Sequence, residues 1–340
     1  MDERILEAVA GEEAYVVGGA VRDELLGRPV LDLDVACRFP EKAARRYARA
    51  AGGALFPLSE RHGAWRVALE DGRTVDFTPL RDGIESDLAT RDFAVNAIAV
   101  PLPGGDPVDP HGGRADLEAR RLRAVSPSIF TDDPLRLLRA VRLEDELGFH
   151  LDLGAQELVR GHAHLAGRPA GERILAELVR LSPVGYRRAD ELGLLAPLAG
   201  SAEGLNPAEE VDSPEFRLVC VFGEALFRLP VSTTTRRFAR TLLSAKRPAD
   251  ASRRGIHRFR RATEPWALEA LAFLRAGELS GAVREARRRE PAGPLLRGDE
   301  LGLPPGPEVG RLLQLVEEER AAGTIASREE ALELVERERR

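Results

Sequence analysis

The chain has little of what marks a secreted or membrane protein. Its 340 residues hold two cysteines, Cys37 and Cys220, far apart and without metal-site spacing, so two reduced thiols are expected rather than a disulfide framework or a zinc site. No apolar run approaches the ~18 residues that a membrane helix needs. The opening MDERILEAVA is acidic and has neither the basic start nor the apolar centre of a signal peptide. The expectation is a cytoplasmic protein with no membrane partner. Lysine is also nearly missing: Lys42 and Lys246 are the only two, and arginine supplies the rest of the 50 basic residues, a bias that reads as gene composition rather than function. The formal net charge of −6 argues against a molecule that binds nucleic acid over its whole surface. The distribution of charge argues otherwise for one segment. Arg236, Arg237, Arg240, Lys246, Arg247, Arg253, Arg254, Arg258, Arg260 and Arg261 follow one another with Asp250 as the only intervening acid. Such a run is either a solvated helical face or a surface for phosphate backbones.

What is present is an ordinary globular composition, 43% hydrophobic and 31% charged, with length for two or three domains. Up to residue 127 the pattern is α/β. AYVVG, VLDLDVA, WRVALE, RTVDFTP and FAVNAIAV are short, Val-rich and bounded by Gly, Pro or Asp, as strands are, and PEKAARRYARAAG between them has a helical period and a glycine stop. From residue 128 the pattern turns helical, as in TDDPLRLLRAVRLEDELGF, LGAQELVRGHAHLA and AGERILAELVRL. No fixed-period repeat is present. The fold class expected is α+β, a mixed-sheet head at 1–127 followed by an all-helical remainder.

The chemistry is concentrated in YVVGGAVRDELLGRPVLDLDVA. A strand alternates its side chains, so VLDLDVA puts Asp32 and Asp34 on one face and Leu31, Leu33 and Val35 on the other. Two carboxylates so placed repel unless a cation lies between them. Hard oxygen donors in a pair suit Mg²⁺ that also holds substrate phosphates. RTVDFTP offers a third carboxylate, Asp76. Gly18 and Gly19 let backbone N–H groups approach a phosphate, with Arg22 one helical turn further on. Together these are the parts of a two-metal phosphoryl-transfer site. In TDDPLRLLRAVR, Asp132 or Asp133 can cap a helix and Pro134 suits its first turn. At 100° per residue Arg136, Arg139 and Arg142 form a stripe opposite Leu137, Leu138 and Val141.

GGAVRDELLG…LDLD resembles the signature of bacterial class II tRNA nucleotidyltransferases and poly(A) polymerases, relatives of DNA polymerase beta. Further segments follow in order. ESDLATRDFAVNAIA is similar to the family's DL-x-RRDFT-x-NA-x-A, and DPHGGRADLEARRLR to its DP-x-GG-x-x-DL. FTDDPLRLLRAVR is similar to its EDPLR-x-LR-x-x-R, and GRPAGERILAEL to its ERI-x-x-EL. LLRGDELGLPPGPEVGRLL resembles the tail of the tRNA-specific members. The resemblance implies a polymerase-beta-like head at 1–127, a neck for base recognition at 128–200, and a body and tail for tRNA at 201–340. It implies that Asp32 and Asp34 hold Mg²⁺, with Asp76 near the attacking hydroxyl. Gly18, Gly19 and Arg22 would contact the triphosphate and Arg91 the nucleotide, with Asp92 and Asn96 near the ribose. Asp133 and Arg136 would read the base, with Arg139 and Arg142 lining the pocket. An acceptor beside a donor matches the N4–H₂ and N3 of cytosine and the N6–H₂ and N1 of adenine, and it mismatches uracil and guanine.

The reaction implied is template-independent addition of cytidines, or of the whole CCA, to the tRNA 3′ end from CTP and ATP, with release of pyrophosphate. Thr90 stands where the family has the first Arg of RRD, Asp132 where it has Glu, and Leu143 where it has Phe. The link FTPLRDGIESDLAT between Asp76 and Arg91 is short, whereas complete CCA-adders of the family generally have a longer flexible loop there. That favours a CC-adding subtype, and with it a separate A-adding enzyme acting on the same tRNA. A poly(A) polymerase and a non-catalytic RNA-binding protein are the alternatives. The first lacks a match to the tail segment, and the second is at odds with an intact Asp-x-Asp.

Overall fold

The computed structural model describes residues 2–59, 63–205, 211–291 and 293–339. It divides into two compact units, Met1–Leu198 and Ala199–Arg340.

The first unit is built on a six-stranded mixed sheet of order β3-β4-β5-β2-β1-β6. Its strands are β1 (Ala14–Val17), β2 (Asp32–Cys37), β3 (Ala54–Ser59), β4 (Ala64–Ala68), β5 (Thr74–Pro79) and β6 (Ala99–Pro101). Parallel pairing of β2 with β5 requires a crossover. Helix α3 and the β3–β4 hairpin supply it. The helices of this unit are α1 (Glu3–Ala8), α2 (Gly19–Leu25), α3 (Pro40–Ala51), α4 (Ile84–Ala89), α5 (Gly113–Glu118), α6 (Ile129–Asp132), α7 (Leu135–Leu147), α8 (Leu153–His162), α9 (Gly171–Leu178) and α10 (Pro183–Glu191). A two-residue parallel pair, β7 (Arg121–Leu122) with β8 (His150–Leu151), joins α5 to the helices that follow.

Local chemistry explains the elements that frame the site. Pro40 opens α3 and Gly52 closes it in the left-handed region at φ +74°. Between them Ala43, Ala44 and Tyr47 are buried, and the Tyr47 ring meets Phe77 of β5 at 5.9 Å. Strand β3 carries a proline, Pro57, which an edge strand tolerates because its outer groups face no ladder. One expectation is corrected. FAVNAIAV is not a strand throughout: Ala94–Asn96 is a 3₁₀ turn and only Ala99–Pro101 pairs with β1. The turn persists because Gly113 at the start of α5 lies against it, where a Cβ would come within 2.1 Å of the Ala94 carbonyl oxygen. The face of β2 opposite its carboxylates is unevenly buried. Leu31, expected there with Leu33 and Val35, is 65% exposed, while Val35 is fully buried.

The second unit is helical: α11 (Pro214–Phe222), α12 (Thr233–Ser244), α13 (Arg253–Thr263), α14 (Ala267–Phe273), α15 (Ser280–Arg288), α16 (Pro307–Ala322) and α17 (Arg328–Glu338). Leu296, Leu301, Leu312, Val316, Ala331, Leu334 and Val335 form a core cluster of its last two helices and the segment before them.

Candidate active site

The candidate site begins as a row across the sheet. Val17 of β1 lies opposite Asp34 of β2, Asp34 opposite Asp76 of β5, and Asp76 opposite Arg66 of β4. One row further along, Asp32 pairs with Thr74, whose Oγ1 donates to Asp32 Oδ1 at 2.6 Å. Asp34 meets no hydrogen-bond donor among the described residues. Burial is the first cause that raises its carboxyl above the usual carboxylate range. The Arg91 guanidinium opposes the rise, and the Asp76 and Asp32 charges add to it. Gly18, at φ +76°, makes the adjacent turn possible. A Cβ there would stand 3.1 Å from Asp34 Oδ2 and 3.3 Å from Arg91 Nη1, so glycine leaves the gap in which carboxylate and guanidinium come close.

The chemistry of this donor set fits a hard divalent cation. Asp32 and Asp34 present carboxylate oxygens on one strand face, and the second lacks any donor. Asp76 is differently placed. Arg66 Nε and Nη2 each donate to one of its oxygens at 2.7 Å, so the carboxylate is held in a bidentate fork. Among the described residues no cluster of three or more His, Cys, Asp or Glu side chains converges on a common metal position. A cation would therefore rest on Asp32 and Asp34, with substrate oxygens completing its shell.

A second set of contacts links the α2 turn to the helices beyond the sheet. Arg22 donates from Nη1 to Asn96 Oδ1 at 2.7 Å, and from Nε and Nη2 to Asp23 at 3.0 and 2.8 Å. Asn96 Nδ2 donates to Asp92 Oδ1 at 3.0 Å, and Asp92 Oδ2 accepts from Arg139 Nη1 at 3.3 Å. Arg139 Nε lies 3.7 Å from Glu177 Oε1, whose other oxygen takes Arg142 Nε at 2.5 Å. Arg142 also donates to Glu146 at 2.6 Å. Gly19 lies under this chain of contacts, a Cβ there falling 3.4 Å from Arg22 Nη2.

The residues expected to read the base stand at the start of α7. Asp133 accepts from the Leu135 amide at 3.2 Å and pairs with Arg173 of α9 at 2.7 Å. Burial pushes its carboxyl up, but the Arg173 hydrogen bond, the Leu135 amide and the nearby arginine charges together hold it below the ordinary value. Arg136 donates to the Thr90 carbonyl at 2.7 Å. Arg91 is tied to Asp87 of α4 at 2.7 Å. The expected stripe of three arginines is corrected at its last member. Arg142 is only 6% exposed and lies between Glu177 and Glu146 rather than on an open face. The turn of α7 that carries it is covered on that side by α9, whose Glu177 takes its Nε.

Four functional neighbours are not evident from the sequence. Arg66 carries a partial signal there: it alternates with Trp65 and Val67 in a Val-bearing strand, but only the register of β4 with β5 puts it on the face of the carboxylates. Arg173 and Glu177 lie four apart in GERILAEL, one face of α9. Asp87 lies four before Arg91, the spacing of a helical ion pair.

In the second unit four of the ten cations of the basic segment have carboxylate partners. Arg247 pairs with Glu278, Arg254 with Glu319 at 2.6 Å, Arg258 with Glu318 at 2.8 Å, and Arg260 with Glu264 and Glu290 at 2.8 and 2.5 Å. Arg236 and Arg240 lie over the Phe227 ring and Arg237 over Trp266.

The mixed sheet with its carboxylate row, followed by helices, defines the class as a nucleotidyltransferase. The comparisons with known proteins agree. The poly A polymerase head domain matches residues 14–123. A CC-adding tRNA nucleotidyltransferase of Thermus thermophilus is 35% identical over 94% of this chain and 92% of its own length. An A-adding tRNA nucleotidyltransferase of Deinococcus radiodurans is 33% identical over 95% of each. The structure of a Thermotoga maritima CCA-adding enzyme complexed with tRNA superposes with a TM-score of 0.75, covering 99% of this chain and 94% of its own at 23% identity, a likeness of fold. The chain belongs to the bacterial class II tRNA nucleotidyltransferases, the family of CC-, A- and CCA-adding enzymes.

Proposed function

We propose that this protein is the CC-adding member of that family. It would add two cytidines to the 3′ end of tRNA from CTP, and a separate enzyme would add the terminal A. The observation that carries the subtype is the link between Asp76 and Arg91. Leu80, Ile84 and Leu88 from it are buried in one core cluster with Val17, Ala36, Ala97 and Ala99. Packing of this kind supports a short, fixed link in place of the long flexible loop that accompanies the C-to-A switch in complete CCA-adders. The Thermus relative carries the same subtype, although the A-adding Deinococcus relative is nearly as similar, so an A-adder is the second reading.

In the proposed mechanism Asp32 and Asp34 would hold Mg²⁺, which when bound would supply charge neutralisation at the phosphates and a lowered pKa at the attacking hydroxyl. The remaining work falls to the protein's own groups. Gly18 and Gly19 let the α2 turn come close to the triphosphate, and Arg22 and Arg91 offer guanidinium donors to its oxygens. Asp92 and Asn96, already bonded to each other, offer polar atoms to the ribose. Asp133 accepts from an exocyclic amine and Arg136 donates to the ring nitrogen, which admits C and A and leaves U and G with unpaired buried groups at about 1–3 kcal/mol each. Arg139 reaches the same pocket through Asp92, and Arg142 supports it from behind by fixing Glu177. Residues 1–127 would be the catalytic head, 128–200 the neck, and 201–340 the body and tail that hold tRNA by backbone and shape.

The test is extension of tRNAs ending before the CCA, after C and after CC, each with CTP, ATP or both, in Mg²⁺. Addition of two cytidines and a halt in the presence of ATP is the expected result. Growth only of the tRNA that already ends in CC, by one A, would make the protein an A-adder. Growth by three would make it a complete CCA enzyme, and a long A ladder would make it a poly(A) polymerase.

A further inference from the structure

The mechanism leaves one concentration of charge and aromatic surface unused. It lies where β2 ends and α3 begins. Lys42, Arg45, Arg46 and Arg49 occupy i, i+3, i+4 and i+7, one stripe of α3. Ala43, Ala44 and Tyr47 on the other side are buried. Ahead of the stripe stand Arg38 and Phe39, a residue 52% exposed, with the Arg38 guanidinium and the Lys42 ammonium each 5.8 Å from the centre of its ring. Arg45 lies 5.4 Å from the Trp65 ring at the start of β4. Arg38, Phe39, Lys42, Arg45, Arg49 and Trp65 line one open cavity of about 640 Å³.

Arg46 serves the fold, donating from Nη1 to the Ala8 carbonyl of α1 at 3.4 Å, but the stripe as a whole is unfavourable to it. Like charges at i and i+4, here Lys42 with Arg46 and Arg45 with Arg49, cost a helix a few tenths of a kcal/mol per pair. Among the described residues two carboxylates touch the face: Glu41, which pairs with Arg45 at 2.7 Å, and Glu12, which accepts from the Phe39 amide at 2.8 Å. Arg38, Lys42 and Arg49 have no carboxylate partner among the described residues. A polyanion with flat apolar faces would satisfy both halves of the surface. Phosphates would neutralise the cations and a base would stack on the exposed Phe39 ring, with the half-buried Trp65 beside it, which is how single strands are held. A duplex keeps its base faces hidden and could use only the charges.

We propose that this face of the head is a second RNA-binding surface that takes unpaired nucleotides. It is separate from the candidate active site. Arg38 follows Asp34 by four residues, about 13 Å along an extended chain, and so lies at the opposite end of β2 from the carboxylates. The proposal rests on the reading that the substrate is an RNA.

The experiment uses the full-length protein, a fluorescent twelve-nucleotide oligouridine, and tRNA lacking its 3′ CCA. The variants are Phe39→Ala and the double Lys42→Gln/Arg49→Gln. Phe39→Ala is expected to weaken oligouridine binding about five-fold or more. The double variant is expected to flatten the dependence of log K on log salt by about 1.4, about 0.7 for each phosphate no longer neutralised. A 4-thiouridine oligonucleotide is expected to cross-link to the peptide containing Phe39 or Trp65, and kcat at saturating tRNA should not move. Unchanged affinity and slope in both variants, or a cross-link confined to other peptides, overturns the proposal. So does loss of binding to phosphatidylserine vesicles with oligouridine binding intact, which would make the face a lipid surface. If the unmodified protein incorporates no nucleotide into any tRNA, the functional reading fails, whatever the oligouridine shows.

Discussion

At the residue scale the site is expensive to fold. Asp34 is held in a partly buried position beside two other carboxylates with no donor to satisfy it. A carboxyl whose folded pKa lies above its unfolded value opposes folding once pH exceeds the unfolded value, and the penalty grows until pH passes the folded one. At pH 7 without metal, Asp34→Asn therefore removes a destabilising charge. It is expected to raise the melting temperature of the metal-free protein while lowering nucleotide addition by at least ~10²-fold, the scale of losing a metal's charge stabilisation. Added Mg²⁺ should raise the melting temperature of the unmodified protein by mass action and leave that of the variant unmoved. Thermal scans with and without Mg²⁺ decide it, and a variant that melts lower than the parent would show that the carboxylate is satisfied in a way the geometry does not reveal. Burial acts on the Cys37 thiol in the same direction, but there it favours the form already present at pH 7. The thiol is fully buried, and burial pushes its pKa up to about 12, so iodoacetamide should modify it only in unfolded protein. Mass spectrometry of the native protein should find the Cys37 peptide unlabelled.

At the scale of elements, what could be read from the sequence was whatever rests on short-range periodicity. The strand at 32–37 was legible because alternation separates Asp32 and Asp34 from Leu33 and Val35. Helix α3 was legible because proline and glycine bracket it. What could not be read was who pairs with whom across the chain. The fork of Arg66 on Asp76 depends on the register of β4 with β5, and the pairing of Arg173 with Asp133 depends on where α9 docks. Arg142 shows the limit most sharply, because its angular position on α7 is as expected, yet α9 brings Glu177 over it. A buried guanidinium and carboxylate, 7% and 9% exposed in their side chains, are costly to separate, since the survivor remains buried and uncompensated. Arg142→Ala is expected to cost about 3–5 kcal/mol, whereas Arg142→Met with Glu177→Leu together should recover most of that loss. Urea denaturation of the two variants makes the comparison, and equal destabilisation of single and double would mean that α9 is held mainly by other contacts. Since Glu177 also approaches Arg139, the double variant should show a raised KM for CTP even where stability is restored.

At the scale of the whole molecule, an acidic protein has to hold an acidic substrate, so the placement of the few unpaired cations decides where it does so. The sequence shows one basic segment from Arg236 to Arg261, and the structure divides it into two kinds of residue. Arg254 and Arg258 bind α13 to α16 through Glu319 and Glu318, and Arg260 reaches Glu264 and Glu290. Their charge is already answered within the fold. Arg236, Arg237, Arg240, Lys246, Arg253 and Arg261 have no carboxylate partner among the described residues. Their charge is free for phosphates, and the aromatic rings beneath Arg236, Arg237 and Arg240 keep those guanidinium planes from wandering. Exchanging Arg236 and Lys246 for glutamine should weaken tRNA binding and reduce the steepness of its salt dependence by about 0.7–0.9 for each phosphate no longer neutralised. Arg254→Ala should leave that slope alone and lower stability by at most about 1 kcal/mol, as for a partly exposed ion pair. Binding isotherms at several salt concentrations, read beside urea curves, separate the two classes. If Arg254→Ala flattened the slope as much as the double variant does, the division between paired and free cations would be wrong, and the ion pairs with α16 would have to open when tRNA binds.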